Sequence, residues 1–160
     1  MSKSAFDELS QCILSYHDWL KVDGLWDLLP NYQKNLTNKE HWHIIINVWS
    51  MAEHNSLDHN KEKWDEIFKL RNPIRYFKRN IKPIFYAYRA GSYEGYSWSL
   101  SKKIADEFKY RYTSNNPFYS MNKNQECKVH KKLIKYEQVL FYNNIRGEKE
   151  IVISEIYLSL

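Results

Sequence analysis

Three short pieces of the chain carry residue types able to act together on one small ligand. Tyr88-Arg89-Ala90-Gly91 closes an aromatic, β-branched run that begins at Ile84. Ser97-Trp98-Ser99 follows, with seven residues, Ala90 to Tyr96, between Arg89 and Ser97. Arg146-Gly147-Glu148-Lys149-Glu150 then leads into Ile151-Val152-Ile153. A guanidinium offers a planar fork of N–H donors that matches phosphate oxygens. A carboxylate beside a sugar stabilises positive charge developing there. A serine hydroxyl holds the sugar or positions the carboxylate. Taken singly, each piece has a plainer reading. An Arg after a strand is ordinarily a surface ion pair, alternating serines make one polar strand face, and two glutamates in a Gly-containing turn are solvated charges.

The elements that must hold these pieces are legible from periodicity and punctuation. Phe6, Leu9, Ile13, Leu14, Tyr16 and Leu20 recur at helical spacing, with Ser4 as cap and Asp7 three positions on. Gly24 and Pro30 bracket a short segment, Leu25 to Leu29. A third helix is expected from Asn38, its cap, to about His54. A fourth is expected over Lys61 to Leu70. After Pro83 the pattern turns to strands: 84–88, 96–99, 126–136, 139–142, and a last one from Ile151 running towards Leu158. One helix, 101–112, is expected among them, capped by Ser99 or Ser101. Helices first and strands with one inserted helix second argue an α+β fold. The expected layout is one domain, 1–160, with a helical sub-region 1–82 and a mostly antiparallel β sub-region 83–160.

In this order the three pieces resemble the Arg–Ser–Glu class of ADP-ribosyltransferases, over about residues 84–155. That family has an aromatic-Arg strand, a Ser-x-Ser/Thr strand leading into a helix, and a Glu-x-Glu turn leading into an apolar strand. The resemblance implies an ADP-ribosyltransferase-like fold and transfer of ADP-ribose from NAD+ to a protein acceptor. By it, Arg89 binds the phosphates of NAD+, and Ser97 shapes the ribose site with Ser99 as second hydroxyl. Glu150 is the catalytic carboxylate, and Glu148 orients or deprotonates the acceptor. A Glu first in Glu-x-Glu goes with arginine acceptors. The chain departs from larger members in leaving only a loop between Arg89 and Ser97, and in carrying Ala90 where a Gly often follows the Arg. Tyr93 and Tyr96 in that loop are the candidates to stack on nicotinamide or adenine.

Charge is placed unevenly. Residues 1–70 hold 7 basic and 11 acidic residues, and residues 71–160 hold 17 and 8. The basic half suits a phosphate-bearing ligand or an acidic macromolecule, protein or nucleic acid. Two segments stand out as docking surfaces: Arg71, Arg75, Lys78, Arg79 and Lys82, then Lys128, Lys131 and Lys132. The alternative to an enzyme is therefore a non-catalytic binding protein of the same fold, docked through those cations. Two cysteines, Cys12 and Cys127, make neither a disulfide framework nor a thiolate zinc site. The histidines lack metal-chelating spacing: His41 and His43 point to different helix faces, so no metal is expected. Cys127 and His130 face opposite sides of a strand and make no nucleophile pair. Trp19, Trp26, Trp42, Trp49 and Trp64 read as core. No apolar run reaches the ~20 residues of a membrane span, and MSKSAFDELS lacks a signal-peptide core, so the chain reads as soluble and cytoplasmic with no membrane partner. Eighteen lysines against six arginines suggest a bacterial or phage source, and with the resemblance a toxin or an inhibitor of host defence.

Overall fold

The computed structural model of the chain describes residues 4–52, 57–73, 82–113 and 128–154. The fold is α+β, with five α-helices and one five-stranded antiparallel sheet among those residues. The chain divides into two compact units, Met1–Ile74 and Arg75–Leu160, a boundary earlier than the Pro83 expected from composition.

The first unit holds α1 (Ala5–Leu14), α2 (Lys21–Tyr32), α3 (Asn38–Met51) and α4 (Leu57–Lys69). Ser4 caps α1, its hydroxyl oxygen accepting from the Asp7 N–H at 3.1 Å. The helix stops at Leu14 instead of continuing to Leu20, because Ser15 turns its hydroxyl back onto the Cys12 carbonyl at 2.6 Å. Helix α2 runs through Gly24 and Pro30 rather than between them. Gly24 is needed there for close approach, since a Cβ would lie 3.0 Å from the Tyr16 ring. Thr37, not Asn38, caps α3, in a reciprocal capping box with Glu40. Trp42, Trp49 and Trp64 are buried with Phe68 in a cluster of ring contacts. Trp19 is 76% exposed and Trp26 39% exposed, so those two are not core. The Trp26 indole N–H instead donates to Glu66 at 2.6 Å.

The second unit holds β1 (Ile84–Ala90), β2 (Ser97–Ser99), α5 (Lys102–Thr113), β3 (Val129–Lys135), β4 (Val139–Asn143) and β5 (Glu150–Ile153). The strands lie in the order β3-β1-β2-β5-β4. Ala87, Trp98, Ile134, Val139, Ile151 and Ile153 form its apolar core. Paired residues share a sheet face, and alternate residues along a strand take opposite faces. Trp98 pairs with Ile151 on the core face, so Ser97 and Ser99 lie on the other. The expected extension of the last strand beyond Ser154 lies outside the described residues, as do Cys127 and residues 74–81.

Candidate active site

The register builds the site. Tyr88 pairs with Lys131 and with Ser99, Ser99 with Glu150, and Glu150 with Asn143. Lys131, Tyr88, Ser99, Glu150 and Asn143 therefore form one row across all five strands, on the face opposite Trp98. Beside this row opens a shallow cleft lined by Tyr88, Arg89, Ser97, Ser99, Glu148 and Glu150. Ala105 and Phe108 of α5 close its apolar side.

Glu150 is the centre of the cleft's polar chemistry. Its carboxylate is only 5% exposed. The Ser97 hydroxyl donates to Oε1 at 2.5 Å, and the Asn143 amide donates to Oε2 at 3.0 Å. Two donors thus hold its two oxygens in one orientation. Asn143 cannot reverse its amide without losing a bond, because its Oδ1 accepts from the Ile145 N–H at 3.1 Å.

A bulge decides that Asn143 is the partner. Val139 pairs with Ile153, but Phe141 pairs with Val152. The extra residue in β4 shifts the register by one. Without it Tyr142 would stand opposite Glu150, and no amide would reach Oε2. No sequence signal marked Asn143, and none was available, since its role depends on that shift.

Glu148 also lines the cleft, with its carboxylate 3.4 Å from Arg146. Between the two glutamates Lys149 takes φ 48°, a left-handed conformation that an L-residue adopts at a cost of about 1 kcal/mol. The Asn144 side chain accepts from the Lys149 N–H at 3.0 Å, and the Lys149 carbonyl accepts from Leu100 at 3.0 Å. These bonds hold the strained turn that brings Glu148 to the cleft. Ser99 stabilises the same turn by donating its hydroxyl to the Glu148 carbonyl at 2.9 Å. It also accepts from the Ser101 N–H at 3.1 Å, while Ser101 occupies the cap position of α5 and accepts from Ile104.

Arg89 is among the lining residues, but Tyr88 before it takes the cleft face, so its side chain leaves β1 on the Trp98 face, with its register partner His130, and braces the 91–96 loop. Its Nε donates to the Ser92 carbonyl at 2.8 Å and its Nη1 to the Ser97 carbonyl at 2.6 Å. Gly95 makes room for it: a Cβ there would stand 2.3 Å from the guanidinium carbon. Tyr93 packs edge-on to Trp98 and to His130, 5.5 Å from each. Its contact with Trp98 puts it with the core-face side chains, and it does not line the cleft. Tyr96 is buried, its carbonyl accepts from Ile153 at 2.8 Å, and it too is absent from the lining. The structure thus brings Arg89, Ser97, Ser99, Glu148 and Glu150 together and leaves Tyr93 and Tyr96 outside. Tyr88, a lining residue, takes no role from sequence spacing alone.

The basic residues divide. Arg71 donates to the carbonyls of Gln33 and Leu36, the latter at 2.7 Å, and so ties down the end of α2. Arg75, Lys78 and Arg79 lie outside the described residues. Lys82 and Lys128 are exposed. Lys131 sits over the Tyr86 ring at 3.8 Å, and Lys132 lies 5.3 Å from Tyr93 and 5.7 Å from Trp98. Among the described residues no group of His, Cys, Asp or Glu is arranged to hold a metal ion. Among them, too, no helix is long and apolar enough to cross a membrane. No family model matches the chain, and no match was found among curated proteins or solved structures.

Proposed function

We propose that the chain is a small ADP-ribosyltransferase that moves ADP-ribose from NAD+ to a protein acceptor. The observation that carries this reading is the buried Glu150 carboxylate, clamped by Ser97 at 2.5 Å and facing a cleft walled by Arg89 and Glu148. In the proposed reaction the bond between the ribose C1′ and the nicotinamide nitrogen breaks. Nicotinamide leaves with the electron pair, as a neutral molecule. The positive charge left on the ribose is stabilised by the Glu150 carboxylate beside it. The acceptor nitrogen then bonds to C1′ and its proton passes to Glu148. Arg89, at the edge of the cleft, is the cation proposed to attract the pyrophosphate, turning from the Ser92 and Ser97 carbonyls to do so. An arginine acceptor fits the Glu at position 148.

The test is incubation with labelled NAD+ and a cell lysate, with Glu150→Gln as control. The variant keeps the shape and removes the charge. The reading expects label on protein, nicotinamide release, and at least 100-fold less of both for Glu150→Gln, about 2.7 kcal/mol of transition-state stabilisation. Equal behaviour of wild type and variant, or no turnover of NAD+ by either, defeats it. The binding-protein reading then takes its place.

A further inference from the structure

The sheet face that carries the cleft continues beyond it. Along β1, Ile84, Tyr86 and Tyr88 share that face, and across from them on β3 stand Lys135, Leu133 and Lys131. Tyr88 belongs to the cleft. The other pairs are open: Ile84 is 50%, Tyr86 52% and Leu133 53% exposed. Single exposed apolar residues are ordinary, but register neighbours on one face form a continuous strip, the kind of surface that marks a binding site. Exposed lysines stand at its two ends, Lys131 and Lys135, about 13 Å apart by strand rise.

We infer that this strip docks an extended acidic segment of the acceptor protein, with aliphatic side chains on Ile84, Tyr86 and Leu133 and carboxylates near Lys131 and Lys135. That the segment belongs to an acceptor rests on the transferase reading; that it binds does not. Charge complementarity selects an acidic occupant. A nucleic-acid strand is disfavoured because its bases need open aromatic faces. The one ring here, Tyr86, already carries the Lys131 ammonium at 3.8 Å. Distance fits an acceptor. From Tyr86 to Glu150 is two residues along β1 and two strand spacings across, about 12 Å. An extended chain covers that in three or four residues at roughly 3.3 Å each. The acceptor's modified residue should therefore lie three or four positions from its apolar-acidic anchor.

Fluorescence anisotropy on the full chain decides it. The probe is a labelled peptide, Asp-Asp-Leu-Glu-Leu-Asp-Asp, with its counterpart carrying Lys at every acidic position, and an oligothymidylate. The acidic peptide should bind wild type, and the lysine peptide should not. Leu133→Asp and Lys135→Glu, both at exposed positions, should each weaken binding about tenfold, with circular dichroism unchanged. Equal binding by wild type and variants, no binding of the acidic peptide, or oligothymidylate binding tighter than the peptide overturns the inference. A wild-type dimer in sedimentation that Leu133→Asp dissociates also overturns it, because a second copy then fills the strip. Absence of NAD+ turnover by wild type would defeat the transferase reading alone, while anisotropy still decides the docking.

Discussion

Asn143→Asp is the sharpest probe of the candidate site, because it preserves shape and reverses electrostatics. The new side chain still accepts from the Ile145 N–H. Where the amide now donates to Glu150 Oε2 at 3.0 Å, it places a second carboxylate oxygen. Two unit charges 3.0 Å apart repel by about 5 to 6 kcal/mol at an effective dielectric of ~20. Repulsion of that size displaces one carboxylate from the other and breaks the clamp on Glu150. On the transferase reading, the rate of nicotinamide release at saturating NAD+ should fall about 10- to 100-fold at pH 7, while KM changes little. Asn143→Leu removes the donor without adding a charge, and should lose only about tenfold. The assay is nicotinamide release at pH 7, with melting temperature as the folding control. Full activity of Asn143→Asp, or a loss no larger than that of Asn143→Leu, would refute the argument.

Two further outcomes are expected. Gly95→Ala puts a Cβ 2.3 Å from the Arg89 guanidinium, so that side chain must leave the Ser92 and Ser97 carbonyls; KM for NAD+ should rise about tenfold, and calorimetric NAD+ affinity no weaker than wild type would contradict this. His41 is fully buried with both ring nitrogens unpartnered, and burial, helped by Arg71, pushes its pKa down to about 4 from an ordinary 6.5. As pH falls the unfolded chain takes that proton first. This stability is therefore complete above pH 6.5 and is lost towards pH 4, by up to about 3 kcal/mol. Urea unfolding at pH 7 and 4.5 should show the slope in wild type and a weaker one in His41→Phe.

The sequence carried the elements and the order of the site, but not its register. Apolar residues sharing one helix face marked α1 and α4, and a capping residue followed by first-turn negative charge marked α3, one residue late, since Thr37 is the cap. The continuity of α2 was missed because Gly24, a breaker in isolation, is the residue that lets the Tyr16 ring approach. The exposure of Trp19 and Trp26 was equally hidden, since aromatic character alone does not say which side of a helix faces a partner. In the β half, Arg89, Ser97, Ser99, Glu148 and Glu150 were visible as types in order. Asn143 was not, because its position opposite Glu150 depends on one inserted residue in β4. Tyr93 and Tyr96 read as ligand-facing because they lie in the loop beside Arg89. Strand alternation and the Trp98 contact send Tyr93 elsewhere.

The polar network around Glu150 also explains why so short a β unit can hold a buried carboxylate. Burying a lone charge costs several kcal/mol, and a chain of this size has little stability to spare. Here the cost is spread over three strands: β2 supplies the Ser97 hydroxyl, β4 the Asn143 amide, and β5 the carboxylate itself. Each donor is fixed by the ladder that also places the core residues on the opposite face. Ser97 precedes Trp98, and Glu150 precedes Ile151, so alternation ties every polar group to a buried apolar neighbour. The bulge in β4 and the left-handed Lys149 both lie near Glu150, one in the neighbouring strand and one next to it in the chain. Irregularity next to one buried carboxylate is a feature that preorganised sites share. A surface turn with solvated charges would need neither.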